Sequence, residues 1–241
     1  MLNKIINVVA LAAVIYVNYL ANALPINGKT TGELSDQYGN LFVPAGLTFA
    51  IWGLIYLLLL MFIIIQFLPA FNSSATSSYW FLITCLFNMT WIVAWHYEKM
   101  ALSLLIMLGL LAALTIMNLQ LANEKQQLLK LIFGVYLGWI LIATVANTTA
   151  GLVSIQWNRF GLSELTWTIL LIIIGLGITT FSMIRLENPY LVISVAWAFL
   201  GIAIKRSADQ PMIVLTAKIA IAFVIAASIY TTFRMVRLKT A

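Results

Sequence analysis

From Leu41 through Tyr97 the chain runs without a single Asp, Glu, Lys or Arg. A helix needs about 20 apolar residues to cross the hydrocarbon core of a bilayer, so this stretch alone is long enough for two crossings. The rest of the chain agrees with it. Of its 241 residues 63% are hydrophobic and 8% are charged, where soluble domains run at about 45–50% and about 25%; the mean hydropathy is +1.03. A water-soluble fold could not hide that much apolar surface. Barrel strands alternate apolar and polar residues, whereas these runs are continuous and long. The class is an all-α integral membrane protein.

Segments of crossing length fall at roughly Ile5–Leu24, Ala45–Leu68, Ser78–Tyr97, Ala101–Leu121, Leu131–Val153, Leu165–Ile184, Tyr190–Ile204 and Met212–Phe233, eight in all, the seventh being short. The five prolines, Pro25, Pro44, Pro69, Pro189 and Pro211, stand at segment ends, where a missing N–H is harmless. The break between the second and third segments rests on Pro69 and the polar run Asn72–Ser78. The first segment has a rival reading as a signal peptide, because Lys4 precedes an apolar stretch that ends in Ala21-Asn22-Ala23. Its full crossing length, and Asn18 and Asn22 one turn apart, favour an uncleaved helix.

The net charge of +6 is spread thinly over the loops, which fits lipid headgroups and topology better than nucleic acid. With eight spans, Lys4, Lys125, Lys130, Arg185, Arg234, Arg237 and Lys239 share one side, against Lys29, Lys99, Arg159, Lys205 and Arg206 on the other. The positive-inside rule then places both termini in the cytoplasm, by a margin of seven to five. The loop Pro25–Val43 would face outward. It is the most polar stretch of the chain and reads either as a mobile flap over a helix bundle or as a solvated connector.

Several chemistries are poorly supported. Pumps and proton-coupled carriers need ionisable groups inside the bilayer, and Lys218, about two turns into the last segment, can snorkel to the interface; its other reading is a counter-ion for an acidic ligand. The single histidine, His96, cannot make a His-rich metal site and reads as interfacial. The one cysteine, Cys85, lies in an apolar run, cannot form a disulfide within the chain, and reads as packing. There is no HExxH, CxxC, Ser-His-Asp arrangement or phosphate-binding glycine loop.

What remains are aromatics and amides. Trp80, Trp157 and Trp167 sit near segment ends, where an interfacial belt is the default. Trp139, Ala143 and Asn147 are spaced four apart and stack on one helix face over two turns. Asn88, Trp91 and Trp95 form a similar stripe on the third segment. Asn88 and Asn147 need hydrogen bonds that lipid cannot supply. They either bond across helices as glue or line a pocket with the tryptophans.

Three stretches carry a resemblance. Pro44-Ala45-Gly46-Leu47-Thr48-Phe49-Ala50-Ile51-Trp52-Gly53-Leu54-Ile55-Tyr56 resembles the second-helix signature of the TspO/MBR family, the tryptophan-rich sensory and translocator proteins. Phe87-Asn88-Met89-Thr90-Trp91, followed by Lys99, looks like its third helix. Tyr136-Leu137-Gly138-Trp139-Ile140-Leu141-Ile142-Ala143-Thr144-Val145-Ala146-Asn147 is similar to its fifth, and Trp157-Asn158 to that helix's polar end. Gly46 stands where the family usually has a tryptophan, and Tyr38-Gly39-Asn40-Leu41-Phe42-Val43 replaces its Trp-rich segment. Segments six to eight have no counterpart in the five-helix pattern.

The resemblance implies a TspO-like five-helix transmembrane bundle over residues 1–158, extended by about three transmembrane helices over 159–241, in a bacterial cell membrane. It implies a receptor or sensor with an aromatic pocket between helices two, three and five. Trp52 and Tyr56 would line it from helix two, Asn88 and Trp91 from helix three, and Trp139, Ala143 and Asn147 from helix five. The implied ligand is a hydrophobic small molecule, tetrapyrrole-like (porphyrin or haem) or sterol-like, with no cofactor required. A homodimer in contact with membrane lipid is the implied assembly. A permease for an uncharged solute and a porphyrin-degrading enzyme are the competing functions.

Overall fold

In the computed structural model every residue is described except Pro25, Ser74, Ala75, Ser77, Asn123 and Ala241, and the side chains of 238–240. The expected break at Pro25, part of the polar run before the third segment, and the side chain of Lys239 therefore lie outside the described residues. Among those described, the long helices are α1 (Leu2–Ala23), α2 (Ile51–Ile65), α3 (Trp80–His96), α4 (Met100–Leu121), α5 (Gln127–Ser154), α6 (Glu164–Arg185), α7 (Leu191–Lys205) and α8 (Pro211–Thr240). Six are long and apolar enough to cross a membrane, α2 when counted with the turn before it; α3 and α7 are shorter apolar helices. The chain is an integral membrane protein. Its outward faces carry Leu57, Ile64, Leu105, Phe181 and Phe233, all exposed, as expected of surfaces turned to lipid.

The second segment does not begin as an α-helix. Gly46–Ala50 forms a tighter 3-10 turn, and α2 proper starts at Ile51. Pro44 has no N–H to give, and the Ala45 N–H donates to Gly201 O at 3.0 Å, in α7, instead of to its own helix. This long-range bond fixes where the segment's entry turn sits against α7.

α5 is the axis of the bundle. The most apolar window of α5 is 78% buried, against 28–39% for the other spans. α7 packs closely on it. Ser194 Oγ donates to Val135 O at 2.7 Å, and a Cβ at Gly138 would come within 2.6 Å of Leu191 O and 2.5 Å of Ser194 Oγ. Glycine here permits backbone-to-backbone approach, the use small residues have between membrane helices. α8 covers α6 and α7, and α1 packs on α2 and α3. α7 is therefore a wall of the bundle, in direct contact with α5.

Buried polar side chains pair across helices. Asn18 Nδ2 donates to Asn88 Oδ1 at 2.9 Å, and Asn88 Nδ2 to Tyr136 Oη at 3.0 Å, joining α1, α3 and α5. Near the terminal end, Asn7 Nδ2 donates to Gln66 Oε1 at 3.0 Å. Asn188 Nδ2 reaches both Asn118 Oδ1 and Lys130 O at 2.8 Å. Lys130 is a correction to the charge reading: it is only 1% exposed, and its ammonium donates to Ala122 O at 2.6 Å and Glu187 O at 3.3 Å. It satisfies carbonyls just past the ends of α4 and α6, where a cation suits the helix dipole, and does not count as a surface charge.

Gly138→Ala is expected to push α7 off α5, since the clash is with backbone. The expected cost is about 1–3 kcal/mol, read as a lowered melting temperature in detergent, whereas Gly53→Ala, where a Cβ meets nothing within 4 Å, should leave melting nearly unchanged.

A candidate ligand pocket beneath the first loop

The loop between α1 and α2 is neither a free flap nor a plain connector. Thr31–Gln37 form a short helix with a complete capping box: Thr30 Oγ1 accepts the Glu33 N–H at 3.2 Å, and Glu33 Oε2 accepts the Thr30 N–H at 2.7 Å. The pattern Thr30-x-x-Glu33 is the local signal that marks this helix, and the reading of the loop as flap or connector does not use it. This helix is tied to the bundle at three places. Glu98, in the α3–α4 turn, accepts from Tyr38 Oη at 2.6 Å and Gln37 Nε2 at 3.0 Å, and pairs with Lys29 at 3.3 Å. Lys205, at the end of α7, pairs with Asp36. Glu164, opening α6, accepts the Leu41 N–H at 2.9 Å, while Arg206 donates to Asn40 O at 3.0 Å and Leu41 O at 3.2 Å.

Glu98 is placed for this role by its own backbone. It adopts a left-handed φ of 54°, which lets the Lys99 N–H return to Ala94 O at 2.9 Å and close the end of α3. The Tyr38 hydrogen bond, then that of Lys29, holds the Glu98 carboxyl below its usual range. Burial first, and then the Glu98 carboxylate, pushes the Tyr38 phenol up to about 12.

Under this cap lies a cavity of about 50 Å³. Its cap side is Thr31, Ser35, Phe42 and Pro44; Phe49 and Trp52 line it from the α2 side, Trp91 and Trp95 from α3. From α5 come Trp139, Ile142, Ala143, Ala146 and Asn147, and from α7 Ala198 and Ile202. Trp91 and Trp95 stack with centroids 5.9 Å apart and planes at 21°. Trp139 meets Trp52 at 6.3 Å and Phe49 at 6.1 Å, both edge to face. Two indoles are also anchored by hydrogen bonds: Trp91 Nε1 donates to Asn147 Oδ1 at 3.0 Å, and Trp95 Nε1 to Thr31 O at 3.4 Å.

Of the residues expected to line a pocket, Trp52, Trp91, Trp139, Ala143 and Asn147 meet around this one cavity. Tyr56 and Asn88 do not line it. Tyr56 stacks behind Trp52 at 5.6 Å, and Asn88 is consumed by its bonds to Asn18 and Tyr136. Asn147 lines the cavity and also ties helices. The cap residues, Phe49, Trp95 and the α7 residues were not foreseen as lining. Trp95 lay in the stripe already noted on the third segment; the α7 residues had no local signal. His96, read as interfacial, is fully buried, with Nδ1 2.7 Å from Ile92 O. Cys85 is buried and free. Lys218 is exposed on α8 and is not part of the cavity wall. Gly46 is exposed, and a Cβ there would meet nothing within 4 Å.

Fold and cavity together describe a polytopic helical membrane protein with an aromatic-lined cavity. The family model described as TSPO-like protein matches residues 4–230, and the chain belongs to that family. The match runs through α6 and α7 and into α8. No match was found among curated proteins or among solved structures.

The Glu98 tie gives the cap a pH dependence. Because the folded-state pKa is depressed, its contribution is present above the ordinary carboxylate range and is lost as the pH falls through the folded value. Amide exchange over residues 29–38 should therefore be slow at neutral pH and, after correction for intrinsic rates, less protected near pH 4. Glu98→Gln should reduce protection at neutral pH and flatten that dependence; an unchanged profile would remove Glu98 from the cap.

Proposed function

We propose that this protein is a membrane receptor for an apolar, ring-bearing small molecule, held in the cavity between α2, α3, α5 and α7 with the first loop as its cap. One observation carries the reading: the stripe Trp139, Ala143 and Asn147 converges with Trp52 and Trp91 on a single cavity. Aromatic faces and edges with few polar anchors suit a flat apolar ligand. Ligand pockets for drug-sized molecules run at about 300–1,000 Å³, so a space of about 50 Å³ must widen before such a molecule fits. A tetrapyrrole would enter only with the cap displaced, whereas a smaller ring system needs less opening. With both termini cytoplasmic, the side that the loop charges favour by six to five once Lys130 is set aside, the cap faces outward.

The test is titration of the detergent-purified protein with 9-fluorenone, following tryptophan emission after subtraction of micelle partitioning. Saturable quenching is expected. Ala143→Leu, which fills the wall of the cavity, should weaken it by roughly tenfold or more. Lys218→Met, on the outer face of α8, should not change it. Quenching indifferent to Ala143→Leu would overturn the pocket assignment.

A further inference from the structure

We infer that the pocket selects a neutral ligand bearing an oxygen acceptor, which the indole N–H of Trp139 and the hydroxyl of Thr31 hold. This rests on the pocket reading above and adds the chemistry of the molecule it takes. Trp139 is 4% exposed and Thr31 is 6% exposed, and both line the cavity. Trp139 Nε1 and Thr31 Oγ1 are buried and, among the described residues, have no hydrogen-bond partner. Buried polar atoms are nearly always paired, so two orphans on residues that line one cavity, Thr31 from the cap and Trp139 from α5, mark the places a ligand would satisfy.

The other buried polar groups of the wall are committed. Asn147 accepts from Trp91 Nε1 at 3.0 Å and donates to Ser103 Oγ at 3.0 Å. Trp95 Nε1 is spent on the Thr31 carbonyl at 3.4 Å, leaving that residue's hydroxyl free. Ser35 lies at the partly exposed rim. An indole N–H can only donate, so the ligand must present an acceptor to Trp139. A threonine hydroxyl can donate to the same oxygen or accept from it, so a ketone or an alcohol satisfies both groups.

Charge narrows the class further. Among the described residues, no Asp, Glu, Lys, Arg or His lines the cavity. The nearby cations of the cap, Lys29 and Lys205, are paired with Glu98 and Asp36. A carboxylate brought into this space would lose its water without gaining a counter-ion. The pocket thus disfavours acidic macrocycles and favours a neutral ring system with one polar oxygen.

Three probes of similar ring framework separate these terms: 9-fluorenone, fluorene and 9-fluorenecarboxylate, each titrated into the full-length protein in detergent. The ketone should bind roughly three- to tenfold more tightly than the hydrocarbon, the worth of about one hydrogen bond, and the carboxylate no more tightly than the hydrocarbon. The ketone-to-hydrocarbon ratio should fall toward one in Trp139→Phe and in Thr31→Val, and persist in Thr31→Ser. Quenching in Trp139→Phe is read from the remaining pocket tryptophans. A ratio of one in the unaltered protein, a preference for the carboxylate, or a ratio that survives both substitutions would overturn the inference while leaving a pocket that binds hydrocarbon. Absence of saturable binding by all three would remove the pocket itself, and the inference with it.

Discussion

The Asn147 amide stands where three helices meet. Its oxygen accepts the Trp91 indole N–H from α3, and its nitrogen donates to Ser103 Oγ on α4, each at 3.0 Å. Inside a bilayer no water can take over these bonds, and an unpaired amide costs several kcal/mol. α3, α4 and α5 are therefore held in one register at this level. The Asn18–Asn88–Tyr136 relay adds α1 to α3 and α5 at another level. With the backbones fixed by these amides, Trp91, Trp95 and Trp139 have defined places, and edge-to-face and stacked contacts of about 0.5–1.5 kcal/mol each hold their rings. A cavity survives beside them because the walls cannot collapse into it.

α7 closes the side that the other helices leave open. It reaches the site through a sequence of dependencies: Gly138 lets α7 approach α5, Gly201 O takes the Ala45 N–H, and the Trp197 indole donates to Thr48 O at 2.8 Å. A Cβ at Gly201 would overlap the Thr48 side chain. The entry turn with Phe49 and the start of α2 with Trp52 are thus positioned by a helix some 150 residues later in the chain. Ala198 and Ile202 enter the wall as a consequence.

The helices and the stripe were legible because both are local. Apolar length marks a span whatever surrounds it, and a spacing of four puts Trp139, Ala143 and Asn147 on one face in any helix. What was not legible depends on partners distant in sequence. Nothing near Asn88 says that Asn18 and Tyr136 will use up its amide, and nothing near Lys130 says that two helix ends will bury it. The cap is an intermediate case: Thr30-x-x-Glu33 announces a helix, but its attachment depends on Glu98, Glu164 and Lys205, each from a different part of the chain.

The walls and the cap are held by different kinds of force, and that difference bears on how a closed cavity can serve a ligand. The walls rest on buried amides and on glycine-mediated backbone contact, which break only at large cost. The ionic ties of the cap are half-exposed: the side chains of Lys29 and Glu98 are 42% and 31% exposed, and those of Lys205 and Asp36 27% and 59%. Pairs of this kind are worth about 0–1 kcal/mol and weaken with salt. These pairs are therefore the weakest of the cap's ties, while buried Leu34 and Phe42 and the bonds to Glu164 and Arg206 hold it more firmly. In the receptor proposed above, the ligand would enter by local opening of the cap, whose ionic ties yield first, while the aromatic chamber keeps its shape.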